Sequence, residues 1–312
     1  MGFDLNALTQ AIQTHGTVAR VVIADVAGSS PREVGAAMLV WPGGQSGTIG
    51  GGALEYQAAQ NAFTNTGLSR HALGPELGQC CGGAVTLLTE TFTAEQLPDL
   101  QGKTTIARGP GDTPLAVCRL LDKARARGEK PMPQLLQGWM IEPVQTPTTD
   151  LWIWGAGHVG RALVDTLSAL PDFALTWVDT APDRFPGNPP HAVTLLPARA
   201  PERLMPHAPT DAAHLILTYS HELDFRLCHS ALRHGFTFAG LIGSDTKWAR
   251  FRKRLAALGH TPAQIDRITC PIGQKQLGKH PHAIAIGVAS QLLTLDNRKE
   301  SAWTISSSAS KA

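Results

Sequence analysis

Charge is scarce in this 312-residue sequence: Asp, Glu, Lys and Arg make up 17%, and they nearly cancel to a formal +2 at pH 7. So little charge excludes a disordered chain and a nucleic-acid-coating protein. Long apolar runs are missing too. None reaches the ~18 residues of a membrane span, so no membrane contact is expected. The start, Met1-Gly2-Phe3-Asp4, has neither the basic nor the apolar region of a secretion signal, which points to a cytoplasmic location. Asn6 stands where a myristoylation signal requires Ser or Thr. The five cysteines are Cys80, Cys81, Cys118, Cys228 and Cys270, with no C-x-x-C among them. That odd, scattered set argues against a disulfide scaffold or a zinc ribbon and for free thiols. There is no internal repeat, and without a G-x-S-x-G elbow a serine hydrolase is not expected.

What is present is 43% hydrophobic residues, enough for two cores in a chain of this length. Gly and Pro together make up about 17%, above the usual ~12%, and cluster at particular turns. Leu5, Leu8 and Ile12 predict an opening helix, Val18–Val26 and Ala37–Trp41 predict strands, and Leu54, Ala58, Ala59 and Ala62 predict a second helix. Ala84–Thr89 reads as a further strand. Pro131, Pro133, Pro143 and Pro147 mark a connector, with a strand at Trp139–Ile141 still belonging to the first domain. Beyond it, Leu151–Trp154, Ala174–Val178, Ala192–Leu195, His214–Thr218 and Phe238–Ile242 alternate with helical stripes. The expected fold class is α/β: an N-terminal mixed α/β domain over 1–145, a C-terminal Rossmann-like doubly wound parallel sheet over 150–298, and a frayed Ser/Ala-rich tail over 299–312.

Leu151–Trp154 leads into Gly155-Ala156-Gly157-His158-Val159-Gly160 and then a helical pattern. Alone, G-x-G-x-x-G is a weak signal. Here it lies between strand and helix, with Asp179 following 24 residues after Gly155 at the end of the next strand. Gly155 would make the tight turn and Gly157 would let a phosphate approach. Gly160 would let helix and strand pack, and the helix N-terminus would offer its N–H groups. Asp179 would take a ribose hydroxyl, and the loop suits NAD(P).

Three glycine-rich stretches occupy the first domain: Gly28-Ser29-Ser30-Pro31-Arg32, Thr48-Ile49-Gly50-Gly51-Gly52 and Leu77-Gly78-Gln79-Cys80-Cys81-Gly82-Gly83. Such loops can present backbone N–H groups as anion nests, and Ser29, Ser30 and Arg32 add hydroxyl and guanidinium donors. Among Gly and Gln neighbours at least one of Cys80 and Cys81 should be reachable, able to attack sulfur or ligate a soft metal. In the second domain, Ser220-His221-Glu222-x-Asp224 follows a strand at the edge where ligands sit. His221 could be an acid/base, or Ser220 could merely cap a helix with His221 in its first turn. Ser244 and Lys247, in Gly243-Ser244-Asp245-Thr246-Lys247, stand in the same way after the next strand.

Together these motifs resemble the XdhC/CoxI family, accessory proteins of xanthine dehydrogenase and related molybdenum hydroxylases. The residues carrying the resemblance are Gly28–Arg32, Gly47–Gly52 with Glu55, Leu73-Gly74-Pro75 and Gly78–Gly83. In the second half they are Gly155–Gly160, Asp179 with Arg184-Phe185, Thr218–Asp224, Gly240–Lys247 and Pro271-Ile272-Gly273. The resemblance implies a chaperone rather than an enzyme. It would bind and protect the molybdenum cofactor (molybdopterin), work with a cysteine desulfurase that sulfurates it, and pass it to the molybdenum-binding subunit of xanthine dehydrogenase. It also implies a homodimer. Cofactor contacts are then expected from Ser29, Ser30, Arg32, Gly50, Gly51, Gly52, Gln79, Cys80, Cys81, Gly155, Gly157, His158, Gly160, Asp179, Ser220, His221, Ser244 and Lys247. Cys81 or Cys80 would stand closest to the molybdenum. The rival expectation is an NAD(P)-dependent oxidoreductase using the Gly155–Gly160 loop. Two departures stand out: Asp245-Thr246 where the family commonly has two arginines, and Pro281-His282-Ala283-Ile284-Ala285 where it has an acidic P-x-E-I-A.

Overall fold

A computed structural model describes residues 2–74 and 82–309, the side chains of 296–309 excepted. The chain divides into two compact units, Met1–Thr146 and Pro147–Ala312.

In unit 1, β2 (Ala37–Trp41) and β3 (Gly44–Gly47) form a hairpin beside β1 (Val18–Ala27), and β5 (Ala84–Phe92) with the edge strand β4 (Gly67–Ala72) completes an antiparallel sheet of order β3-β2-β1-β5-β4. Helix α1 (Leu5–His15) precedes the sheet, with Asp4 accepting from Ala7 N–H at 2.8 Å as its N-cap. Helix α2 (Gly52–Gln60) lies between β3 and β4, and the short α3 (Leu97–Leu100) follows β5. A smaller antiparallel sheet, β6-β8-β7, comes from β6 (Thr105–Arg108), β7 (Gln134–Leu136) and β8 (Trp139–Pro143), with α4 (Leu115–Arg127) inserted.

The first seven residues of β1 are buried without alternation, because both its faces are covered. Ala19, Val21 and Ile23 pack with Leu54, Ala58 and Ala59 of α2, while Val22 and Ala24 pack with Met140 of β8. Arg20 shares the second face and is only 2% exposed. Its guanidinium makes a two-pronged bond to Glu142, which also accepts from Arg108, which in turn holds Glu90. Phe3 lies under both guanidiniums, 4.4 and 4.8 Å from its ring centre. Burial pushes the Glu142 pKa up, but the two arginines outweigh it and hold the carboxyl below its ordinary value.

Unit 2 is a six-stranded, all-parallel sheet in the order β11-β10-β9-β12-β13-β14, from β9 (Thr149–Trp154), β10 (Phe173–Asp179), β11 (Val193–Pro197), β12 (Ala213–Ile216), β13 (Phe238–Leu241) and β14 (Ile268–Thr269). Numbered within the unit this is 3-2-1-4-5-6, the Rossmann order. Leu151 and Ile153 of β9 face the layer formed by α5 (His158–Leu167) and α9 (Pro281–Ala309). Trp152 and Trp154 face that of α6 (His221–His234) and α7 (Asp245–Ala257), while the short α8 (Pro262–Ile265) leads into β14. Residues 299–309 of the stretch expected to fray continue α9 as helical backbone, and 310–312 lie outside the described residues. Among the described residues no helix is long and apolar enough to cross a membrane.

Candidate functional site

The strand order of unit 2 reverses between β9 and β12, and in such sheets a crevice opens at the carboxyl ends of the reversing pair. Trp154 and Ile216 end those strands in register. Beyond them lies a cleft of about 430 Å³, lined by Gly157, His158, Thr218, His221, Ser244 and Lys247 among others. The N-termini of α5, α6 and α7 all border it, so unpaired N–H groups and three positive dipole ends favour an anion there.

The glycine loop follows from local sterics. Gly155 has φ +123°, and a Cβ on it would meet Leu217 O at 2.5 Å, so only glycine lets β9 and β12 run this close. A Cβ at Gly160 would sit 2.0 Å from Gly155 O, so glycine is what lets α5 press on the loop. A Cβ at Gly157 would meet nothing within 4 Å. Its face opens toward the cleft, with exposed His158 next to it.

Asp179 departs from the ribose-binding expectation. It is 4% exposed; Oδ2 accepts from Ala156 N–H at 2.5 Å, and Oδ1 accepts from the Thr180 N–H at 2.6 Å and hydroxyl at 3.0 Å. Arg184 Nε lies 3.4 Å from Oδ1, and its guanidinium stands over the exposed Tyr219 ring. The carboxylate therefore holds the glycine loop in shape.

Lys247 is paired as well as present. Its Nζ donates to Asp224 Oδ2 at 2.6 Å and to Ile242 O at 2.8 Å. Asp224 is 1% exposed, and its other oxygen accepts from Thr218 N–H at 2.9 Å and the Thr218 hydroxyl at 2.8 Å. The pair braces the loops after β12 and β13 against each other. Ser220 and Ser244 take the capping role: each accepts from the N–H three residues on, at 3.3 and 3.2 Å. His221 is the exposed first residue of α6.

In unit 1 the described parts of the glycine loops meet. A Cβ on Gly50 would strike Pro31 Cγ at 2.6 Å, and one on Gly83 would strike Ser29 O at 2.2 Å, so the 28–32 loop lies against Gly50 and Gly83. The Gly50-Gly51-Gly52 stretch, read as an open anion nest, instead receives a carboxylate of its own chain. Glu55 Oε2 accepts from Thr48 Oγ1 at 2.6 Å and from the Ile49 and Gly51 N–H groups at 3.0 Å, while Gly50 N–H donates to Thr48 Oγ1. Partial burial would raise the Glu55 pKa, but bonds from Thr48, Gly51, Ile49 and Gln45 hold it below the ordinary carboxylate value. Ser30 donates to Arg32 O at 2.8 Å, and Ser29 is exposed. Arg32 contacts Glu33 at 3.3 Å and lines, with Ser46 and Thr48, a cleft of about 310 Å³. Gln79, Cys80 and Cys81 lie outside the described residues.

Of the described thiols, Cys228 is fully buried in the α6 core, and burial pushes its pKa far up. Burial likewise raises Cys270 to about 11, against the pull of Lys247. Both are protonated at neutral pH and poor nucleophiles. The sequence reading left Asp224, Thr218 and Arg184 out of the site. The signal for Asp224 was its place one turn after Ser220, which turns it back onto the strand end.

No curated protein matches the chain. Among solved structures, one described as a xanthine dehydrogenase from Bacillus halodurans superposes over 96% of each chain, with 20% identity and a TM-score of 0.66, which shows the shared fold. A Rossmann-fold NAD(P)-binding family protein from Shigella flexneri matches 36% of this chain and 63% of its own, at 11% identity and a TM-score of 0.28. By sequence, residues 151–292 match the family described as XdhC Rossmann domain, and residues 11–70 match the one described as XdhC and CoxI family. With both matches in that order along one chain, the protein belongs to the XdhC/CoxI family.

Proposed function

We propose that this chain is an accessory protein of xanthine dehydrogenase: it binds molybdenum cofactor as cargo, shelters it, supports its sulfuration by a cysteine desulfurase, and inserts it into the molybdenum-binding subunit of the dehydrogenase. Family membership supports the accessory role. The observation that carries the cargo reading is the switch-point cleft, where three helix N-termini and the open face of Gly157 favour a phosphate beside the Lys247–Asp224 ion pair. Molybdopterin bears such a phosphate on a pterin whose dithiolene sulfurs hold the metal. Cys80 and Cys81 are the thiols proposed to face that metal, and a homodimer is the proposed state.

Anaerobic titration of the full chain with molybdopterin and with NADH tests this reading. Saturable molybdopterin binding that weakens at least tenfold in Lys247→Met supports it. Tight NADH binding without molybdopterin binding would support the oxidoreductase instead. The burial of Asp179, only 4% exposed with both oxygens holding the loop's own donors, weighs against that outcome.

A further inference from the structure

Pro271-Ile272-Gly273 takes no part in the switch-point cleft. It follows β14 and lines a second cleft of about 340 Å³ in unit 2, together with Ile284 at the start of α9. Ile242, Gly243 and Ser244 line both clefts, so the two are neighbours along the carboxyl edge of the sheet, divided only by the β13–α7 loop.

Their chemistries differ. The first offers helix N-termini and the Lys247–Asp224 ion pair. The second presents the hydrocarbon of Ile242, Pro271, Ile272 and Ile284, with the polar groups of Gln274 and Lys279 on its exposed edge. Ile272 is held flat on the sheet because β13 carries Gly240 beneath it: a Cβ there would come within 2.1 Å of Ile272 Cδ1. Gly273, at φ +84°, turns the chain through the left-handed region, and its N–H donates to Gln291 Oε1 at 3.2 Å. The exposed ion pair of Asp245 and Lys275, 2.7 Å apart, joins two further residues of the lining.

We propose that this second cleft is the subsite for a flat nitrogen heterocycle, the pterin ring of the cargo, whose phosphate occupies the switch-point cleft next to it. The proposal rests on the molybdopterin reading above. Apolar walls suit the ring faces, which form no hydrogen bonds, and the Gln274 amide and Lys279 ammonium suit the polar ring edge. A cavity this size is at the small end of ligand sites (~300–1,000 Å³), enough for one bicyclic ring but not for a dinucleotide.

The test uses the full chain, anaerobically, by calorimetric titration with molybdopterin, a phosphate-free tetrahydropterin and inorganic phosphate. Ile284→Trp fills the cleft from its half-buried side. It should weaken molybdopterin and tetrahydropterin at least tenfold and leave phosphate within twofold. Gln274→Ala combined with Lys279→Ala removes only exposed groups, so it serves if the tryptophan variant fails to fold, and should weaken tetrahydropterin at least threefold. Lys247→Met should do the converse, weakening phosphate and sparing tetrahydropterin. Wild-type binding of molybdopterin with undiminished binding in both ring-cleft variants overturns the subsite alone. A wild-type chain that does not bind molybdopterin overturns the cargo reading and the subsite with it.

Discussion

Acid should loosen unit 2 in large part through His214 of β12. It is fully buried; Nδ1 accepts from Trp154 Nε1–H at 3.3 Å, and Nε2 has no partner among the described residues. Burial first, and the charge of His234 second, lower its pKa to about 4 from an ordinary 6.5. The sign follows from linkage. Below 6.5 the unfolded chain takes up a proton that the folded chain refuses, so stability is whole above that pH and falls as pH drops toward 4. At about 1.36 kcal/mol per unit, roughly 2.5 units amount to ~3 kcal/mol, most of it lost by pH 4. The assay is urea unfolding followed by the fluorescence of the buried Trp152, Trp154 and Trp177, at steps from pH 7.5 to 4. His214→Phe removes the titration but keeps a flat ring in the slot. The wild type should lose about 3 kcal/mol more than the variant over that range. Two curves that stay parallel would refute the inference that a neutral, caged imidazole sits in this core.

Two glycines of the fingerprint should separate cleanly. Gly160→Ala drives a methyl into Gly155 O and should cost about 3 kcal/mol, a fall in Tm of roughly 6–12 °C for a unit of this size. Gly157→Ala, with nothing within 4 Å of the new methyl, should leave Tm within about 2 °C yet weaken phosphate binding in titration. In unit 1, Glu142→Gln leaves two buried guanidiniums short of their counter-charge and should cost about 3–5 kcal/mol in thermal or urea unfolding. Glu55 has a folded pKa below its ordinary value, so its contribution is present above about pH 4.5 and is lost as pH falls further. Glu55→Gln should speed hydrogen exchange at the Ile49 and Gly51 amides at neutral pH and remove that acid dependence.

The Rossmann half was legible because its signals are local. Alternating strand and helix patterns and three glycines at fixed spacing each answer to sterics within a few residues, and the parallel sheet and the glycine roles at 155 and 160 follow. Asp179 shows where local reading ends: whether a carboxylate meets a ligand or the backbone depends on where the Ala156 and Thr180 N–H groups point. Gly50–Gly52 repeats the lesson. The glycines announce a nest, but Glu55, one turn into the following helix, already fills it. The Arg20–Glu142–Arg108–Glu90 network was invisible because its first pair is 122 residues apart. Edge strand β4, Gly-Leu-Ser-Arg-His-Ala, lacks the apolar alternation that betrays a strand, since only β5 holds it. The two-sided burial of β1, by contrast, is written in its Val- and Ile-rich run, which only Arg20 interrupts with a charge over its first seven residues.

On the proposed function, this protein carries an oxidisable pterin-bound metal to a client enzyme. The most direct measurement loads the chain anaerobically with molybdopterin bearing molybdenum, removes unbound material by gel filtration, and adds cofactor-free xanthine dehydrogenase with a cysteine desulfurase. Retained cofactor, followed by xanthine oxidation that depends on the loaded chain and fails with the Cys80→Ala/Cys81→Ala variant, is the expected result. A chain that emerges without cofactor, or a dehydrogenase equally active without it, would contradict the claim.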